Sequence, residues 1–113
     1  MIEPETFFSV EMRVGKIIAA EPFEKARKPA YKLRIDFGEL GTKRSSAQIT
    51  DLYSPEDLLG RKVVAVVNLP PKQIADTVSE CLVLGVDSPK GGVSLLRLDE
   101  EAGGEIPPGT RVY

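Results

Sequence analysis

The sequence predicts a small all-β protein: a five-stranded barrel with one short helix between strands 3 and 4, and short extensions at both ends. Three observations predict it. Tyr31 to Phe37 alternates apolar and charged residues with a period of two, Lys62 to Val67 is a run of mostly β-branched residues, and proline- and glycine-rich turns punctuate the rest. With 113 residues and no break in composition, one domain spanning residues 1–113 is expected.

The elements follow in order. Ser9 to Ala20 mixes Val10, Met12, Val14, Ile17 and Ile18 with charged residues, and its phase slips near Gly15, which suggests a bulge there. The proline-bounded segment Glu21 to Pro29 reads as a loop. The next strand turns Tyr31, Leu33, Ile35 and Phe37 inward and Lys32, Arg34 and Asp36 outward. After the turn Gly38 to Gly41, Lys43 to Thr50 should return with Ser45, Ala47 and Ile49 inside and Arg44, Ser46, Gln48 and Thr50 outside. Ser54, Pro55 and Asp57 form the start of a short helix, as N-cap, first helical residue and capping-box acid, and Gly60 can end it. Lys62 to Val67 reads as a strand covered on both faces, and Lys72 to Val78 as an irregular connection. Cys81 to Val86 and Val93 to Leu98 are strands joined through Ser88-Pro89-Lys90-Gly91, a type I turn signature. The order β-β-β-α-β-β is that of an OB barrel, with Val93 to Leu98 a strand beyond the basic five, as an extension or a local hairpin. An SH3-like or other small barrel also fits the pattern, and the capped helix after the third strand favours the OB form.

Composition excludes several classes. No apolar stretch approaches the ~20 residues of a membrane span, so no membrane insertion is expected. The acidic N-terminus lacks the design of a signal peptide, and the lone cysteine, Cys81, can form no internal disulfide, so a cytoplasmic location is expected. Without histidine the usual general base and the commonest zinc ligand are missing, no phosphate-binding glycine loop occurs, and no carboxylate pair is identifiable as a general acid and base. A binding protein without catalysis is the expectation.

The net charge of −2 hides an asymmetry. Between Arg13 and Arg44 stand nine basic residues against four acidic ones, while the remainder of the chain is acidic. Such a segment attracts an anionic partner locally.

Four segments together resemble the CsaA family of export-related chaperones: Met12 to Ile17, Ala26-Arg27-Lys28-Pro29-Ala30-Tyr31-Lys32-Leu33, Ser45-Ser46-Ala47-Gln48-Ile49-Thr50 and Ser79 to Gly85. That family lies within the wider group of tRNA-binding OB domains appended to methionyl-tRNA synthetases. The resemblance implies an OB-fold homodimer with no cofactor that binds unfolded or precursor polypeptides in the cytoplasm and assists their delivery to the export machinery. It places the dimer interface outside the barrel, here at Phe7 and Phe8 in front and Ile106, Val112 and Tyr113 behind. The chain departs from the family pattern at Arg34, where relatives often carry tryptophan, and at Asp76-Thr77, where glycine and phenylalanine are expected. Synthetase-type domains carry Ser-Glu-Gly-Met where this chain has Ser79-Glu80-Cys81-Leu82.

Two functions of different kinds follow. A peptide-binding chaperone would hold an extended segment in a groove lined by Phe8 and Tyr31, with Lys32, Arg34 and Gln48 meeting its backbone or acidic side chains. A tRNA or structured-RNA binder would use the strand 2–3 face, with Lys32, Arg34, Lys43 and Arg44 on phosphates and Ser46, Gln48, Asn68 and Ser79 on sugars or bases. Lys72 and Glu80 complete the candidate set. The absence of tryptophan, the 6% aromatic content and the pI near 5.2 favour the peptide reading.

Overall fold

Alternating side chains build the centre of the molecule. The computed structural model describes every residue from Met1 to Tyr113. A short helix α1 (Pro4–Phe8) leads into the long strand β1 (Met12–Pro22). β2 (Tyr31–Asp36), a 3-10 turn (Gly38–Leu40) and β3 (Thr42–Ala47) follow, then α2 (Pro55–Leu58) and β4 (Lys62–Val66). After β4 come two hairpin strands β5 (Lys72–Ile74) and β6 (Thr77–Ser79), then β7 (Leu82–Val83). A second hairpin, β8 (Gly85–Asp87) with β9 (Val93–Leu95), precedes α3 (Glu100–Gly103) and β10 (Arg111–Val112).

The main sheet runs in the order β3-β2-β1-β4-β7, all antiparallel, and β10 pairs with the start of β1. It curls into a nearly closed barrel. The Glu80 N–H donates to Arg44 O at 2.8 Å and the Ser45 hydroxyl to Cys81 O at 2.8 Å, joining the last segment to the edge of β3. The fold is the expected OB-type barrel. Ile17, Leu33, Ile35, Phe37, Leu58, Val63 and Ala65 fill it, and burying each large side chain contributes about 1.5–3 kcal/mol.

Local chemistry explains the punctuation. The capping box forms as expected: Ser54 Oγ accepts from Asp57 N at 3.2 Å, and Asp57 Oδ2 accepts from Ser54 N at 3.1 Å. The Ser88 turn also forms, with Gly91 N donating to Ser88 O at 3.0 Å.

Five expectations need correction. The bulge in β1 lies at Ile18, where the pairing with β2 slips between Ile17 and Ala19. The extra residue lets Ile17 and Ala20 both stand opposite inward residues of β2, Ile35 and Leu33. Gly15 is instead required by space: a Cβ there would lie 2.5 Å from Ile35 Cγ2 and 2.7 Å from Phe37 Cε1. β3 stops at Ala47 rather than Thr50 because its partner begins at Tyr31, just after Pro29. The expected strand Cys81 to Val86 is two strands, since the chain changes partner from β4 to β9 at Leu84-Gly85, and β9 itself ends at Leu95 rather than Leu98. A Cβ on Gly85 would meet Ser94 O at 2.8 Å, so only glycine allows that change of partner without displacement.

The fifth correction matters most for function. Lys72 to Val78 is no irregular connection but the hairpin β5–β6, with Ile74 opposite Thr77. Its two-residue turn, Ala75-Asp76, demands a positive φ at the first position, where glycine is usual. Ala75 supplies it at φ 49°, the one non-glycine residue of the chain with positive φ.

Candidate functional site

The outer face of β2 and β3 carries the charged half of the alternation. Cross-strand pairing sets Lys32 opposite Ser46 and Arg34 opposite Arg44, and β1 adds Glu21 beside Lys32 and Ala19 beside Arg34. Two like charges directly opposite destabilise a sheet, and Glu80 offsets this one. Its Oε1 accepts from Arg44 N at 2.9 Å and from Arg44 Nε at 3.2 Å. These bonds, the backbone one foremost, hold the Glu80 carboxyl below its ordinary pKa.

Above this face two walls rise. One is the loop between β1 and β2, Phe23 to Ala30, and the other is the β5–β6 hairpin. Between them lies a groove of 780 Å³ bordered by Phe23, Lys25, Arg27, Lys28, Lys72 and Ile74, with Ser46 and Gln48 of the β3 side facing it. A second hollow of 460 Å³ lies beside it, over Ala19, Leu33 and the side chains of Lys32, Arg34 and Arg44, reaching Thr77. Asp76 links the walls. Its carboxylate lies 3.2 Å from Lys32 Nζ and 3.7 Å from Lys25 Nζ, and the hydrogen bond from Lys32 lowers its pKa. Lys32 Nζ also stands 5.0 Å from the centre of the Phe23 ring. Arg27, Lys28, Arg34, Lys43 and Lys72 take part in none of the ion pairs of the structure.

The candidate residues named from sequence separate into groups. Lys32, Arg34, Arg44, Ser46, Gln48 and Lys72 come together on this face and its groove. Ser79 and Glu80 stand at the closing seam, Ser79 Oγ donating to Cys81 O at 3.3 Å. Tyr31 faces the core instead: it is buried, its hydroxyl donates to Tyr53 O at 2.7 Å, and it offers a ligand no surface. Phe8 is exposed but sits in α1, not on the groove that Tyr31 was expected to share with it. Lys43 shares the pleat parity of Ser45 and stands opposite Ile35, off the face that carries Arg44. Asn68 lies beyond the end of β4 that pairs with Met12, while Lys32 and Arg34 pair with the other end of β1. Both ends of its amide are engaged, accepting from Glu11 N at 2.9 Å and donating to Ser9 O at 2.8 Å. That is a clasp for the N-terminal segment.

Sequence reasoning left Phe23, Lys25, Arg27, Lys28 and Gln73 out of the candidate set, and named Asp76 only as a departure from the family pattern. The basic cluster Lys25 to Lys28 was visible as the densest in the chain, but a loop has no periodicity to say which way it folds. Cys81 is buried, and burial pushes its thiol up to about 11.

The arrangement is a small OB-type barrel whose groove, set between a loop and a hairpin, gathers cations and polar groups, on the side where OB folds commonly take ligands. The model of the family described as "Putative tRNA binding domain" matches residues 12–111, and the chain belongs to that family. The chaperone CsaA of Bacillus anthracis superimposes with a TM-score of 0.90 at 50% identity, covering 100% of this chain and 99% of that one. The CsaA chaperone protein of Picrophilus torridus gives 0.91 at 46% identity, with 100% of each chain covered. Methionine–tRNA ligase 1 of Bacillus anthracis is 37% identical over 96% of this chain, which spans only 15% of the ligase.

Proposed function

We propose that this protein is a non-enzymatic chaperone that binds unfolded or precursor polypeptides in the cytoplasm, as a homodimer, and assists their delivery for export. The observation that carries the reading is the free edge of β3 inside the groove. Both backbone groups of Arg44 go to Glu80, so the alternation of an antiparallel ladder turns the Ser46 N–H and C=O to the same edge. No loop or side-chain hydrogen bond reaches them there. An extended polypeptide laid between Phe23 and Ile74 can pair with that edge, while Lys28, Arg27 and Lys72 meet its acidic side chains. Full-length likeness to two proteins named as CsaA chaperones supports the same reading. The lone buried Cys81 suits a reducing compartment.

Backbone pairing has a distinctive test. Ser46→Pro removes an N–H that the ladder does not use, and should weaken binding of a labelled unfolded polypeptide about tenfold. Ser46→Ala, which keeps the N–H, should bind normally. Equal binding by both variants would sink the edge-pairing reading.

The dimer rests on the ends of the chain. Phe7 and Phe8 stack edge-to-face with centroids 5.2 Å apart, and Phe8 is half exposed. Arg111 Nη2 donates to Phe8 O at 3.2 Å, so Val112 and Tyr113 lie near them, and Ile106 remains partly exposed. Replacing both phenylalanines with serine should halve the mass seen by light scattering.

A second reading, tRNA binding, is favoured by the family match over residues 12–111 and by the cations of the groove. It would use the same face.

A further inference from the structure

One carboxylate on the basic face is placed by an unusual backbone. The hairpin tip holds Ala75 at φ 49°, a conformation that alanine adopts only under constraint, and the Gln73 side-chain amide donates to Ala75 O at 2.9 Å to keep it there. The result is that Asp76 extends from the β5–β6 wall to Lys32 on β2 and Lys25 on the opposite loop. Lys25, Lys32 and Asp76 together with Glu21 and Glu24 border a shallow hollow at the end of the groove. Of the basic side chains on this face, these two lysines share the single carboxylate of Asp76 and Arg44 pairs with Glu80, while Arg27, Lys28, Arg34 and Lys72 stay unpaired.

We propose that Asp76 is a built-in anion that occupies the Lys25–Lys32 pair and thereby sets the preference of the groove for polypeptide over polynucleotide. The inference rests on the polypeptide reading above and adds the residue that decides specificity. A phosphate chain gains affinity by neutralising itself on lysines and releasing its counterions. Lysines that share an aspartate give less of that gain, and the aspartate itself repels the approaching phosphate across less than a Debye length of about 8 Å. A polypeptide held by backbone pairing and apolar contact needs neither lysine. It loses little from the presence of Asp76. Specificity here comes from a repulsive element as much as from an attractive one.

The test is Asp76→Asn, which fits the same turn and removes the charge, with Ala75→Gly as a control that relaxes the backbone and keeps the charge. Each protein is titrated with polyuridylate and with a labelled unfolded polypeptide across a salt series. Asp76→Asn should steepen the polyuridylate salt slope by about 0.7, for the one net positive charge released, and raise low-salt affinity about threefold. Its polypeptide affinity should change less than about twofold, and Ala75→Gly should behave as the parent on both probes. An unchanged slope in Asp76→Asn overturns the inference, as does the same gain in Ala75→Gly, which would trace the effect to hairpin position. Failure of the parent to bind polypeptide would overturn the proposed function instead, and the polyuridylate slope would still decide the role of Asp76.

Discussion

The two faces of the β2–β3 ribbon are made from interleaved residues of the same strands, yet they do different work. Inside, Leu33, Ile35 and Ser45 are almost wholly buried, and even the Ser45 hydroxyl is satisfied by Cys81 O. Outside, Lys32, Arg34, Arg44 and Ser46 meet solvent and a groove, and their ion pairs reach to other elements. On the proposed function, the pleat separates stability from recognition at single-residue resolution. A change at an even position of β2 should alter binding, and one at an odd position should alter folding.

The strongest way to break this separation is from within. Phe37 is fully buried in the cluster that holds Ile17, Ile35 and Leu58. Phe37→Ala should cost about 3–5 kcal/mol in denaturant unfolding, a large part of the ~5–15 kcal/mol that such a domain has. Gly15→Ala approaches the same cluster from the other side. Its added methyl overlaps Ile35 and Phe37, and overpacking of this kind should cost about 1–3 kcal/mol. A Gly15→Ala protein as stable as the parent would show that the inner face is less closely packed than its distances indicate.

The outer face should respond in the opposite way. Arg34 makes no ion pair and stands across from Arg44, so Arg34→Trp relieves a like-charge contact and should leave stability within about 0.5 kcal/mol. The indole adds apolar area beside Ala19 and Leu33 in the smaller hollow, and should tighten polypeptide binding by about 1–2 kcal/mol. Tighter polyuridylate binding with no change for polypeptide would favour the RNA reading of this face.

Much of this architecture was legible in the sequence because period-two alternation and capping are local signals. Tyr31 to Phe37, the Ser54 box and the Lys62 to Val67 run each carry their own evidence. The hairpin wall did not, because its turn uses Ala75 at positive φ, where a glycine or asparagine would have announced it. The bulge was assigned to the wrong residue for a related reason. Gly15 looked like a conformational glycine, but it is a spatial one, required by Phe37 across the barrel, and long-range contact leaves no mark in local pattern. Asn68 had the chemistry of a ligand contact and is spent on Ser9 and Glu11. The lysines of the first loop were counted as charge but could not be aimed at a groove whose second wall was unrecognised.

The smallest expected effect concerns the seam where the two faces meet. Glu80 accepts from both the backbone and the guanidinium of Arg44, and these interactions lower its pKa in the folded chain. A carboxyl whose folded pKa lies below its unfolded value binds fewer protons when folded, so it stabilises the fold at higher pH. That contribution is complete above the ordinary glutamate value of 4.5 and is lost as pH falls from there through the lowered folded value. The pair is partly exposed, so its worth is below about 1 kcal/mol after solvent screening. Glu80→Gln keeps an acceptor for Arg44 N–H but cannot titrate. Its unfolding free energy should therefore fall less steeply than that of the parent between pH 5 and pH 3, with the two curves converging in acid. Parallel curves across that window would mean that the seam is held by the Glu80 N–H to Arg44 O bond and the Ser45 hydroxyl, with the carboxylate contributing nothing measurable.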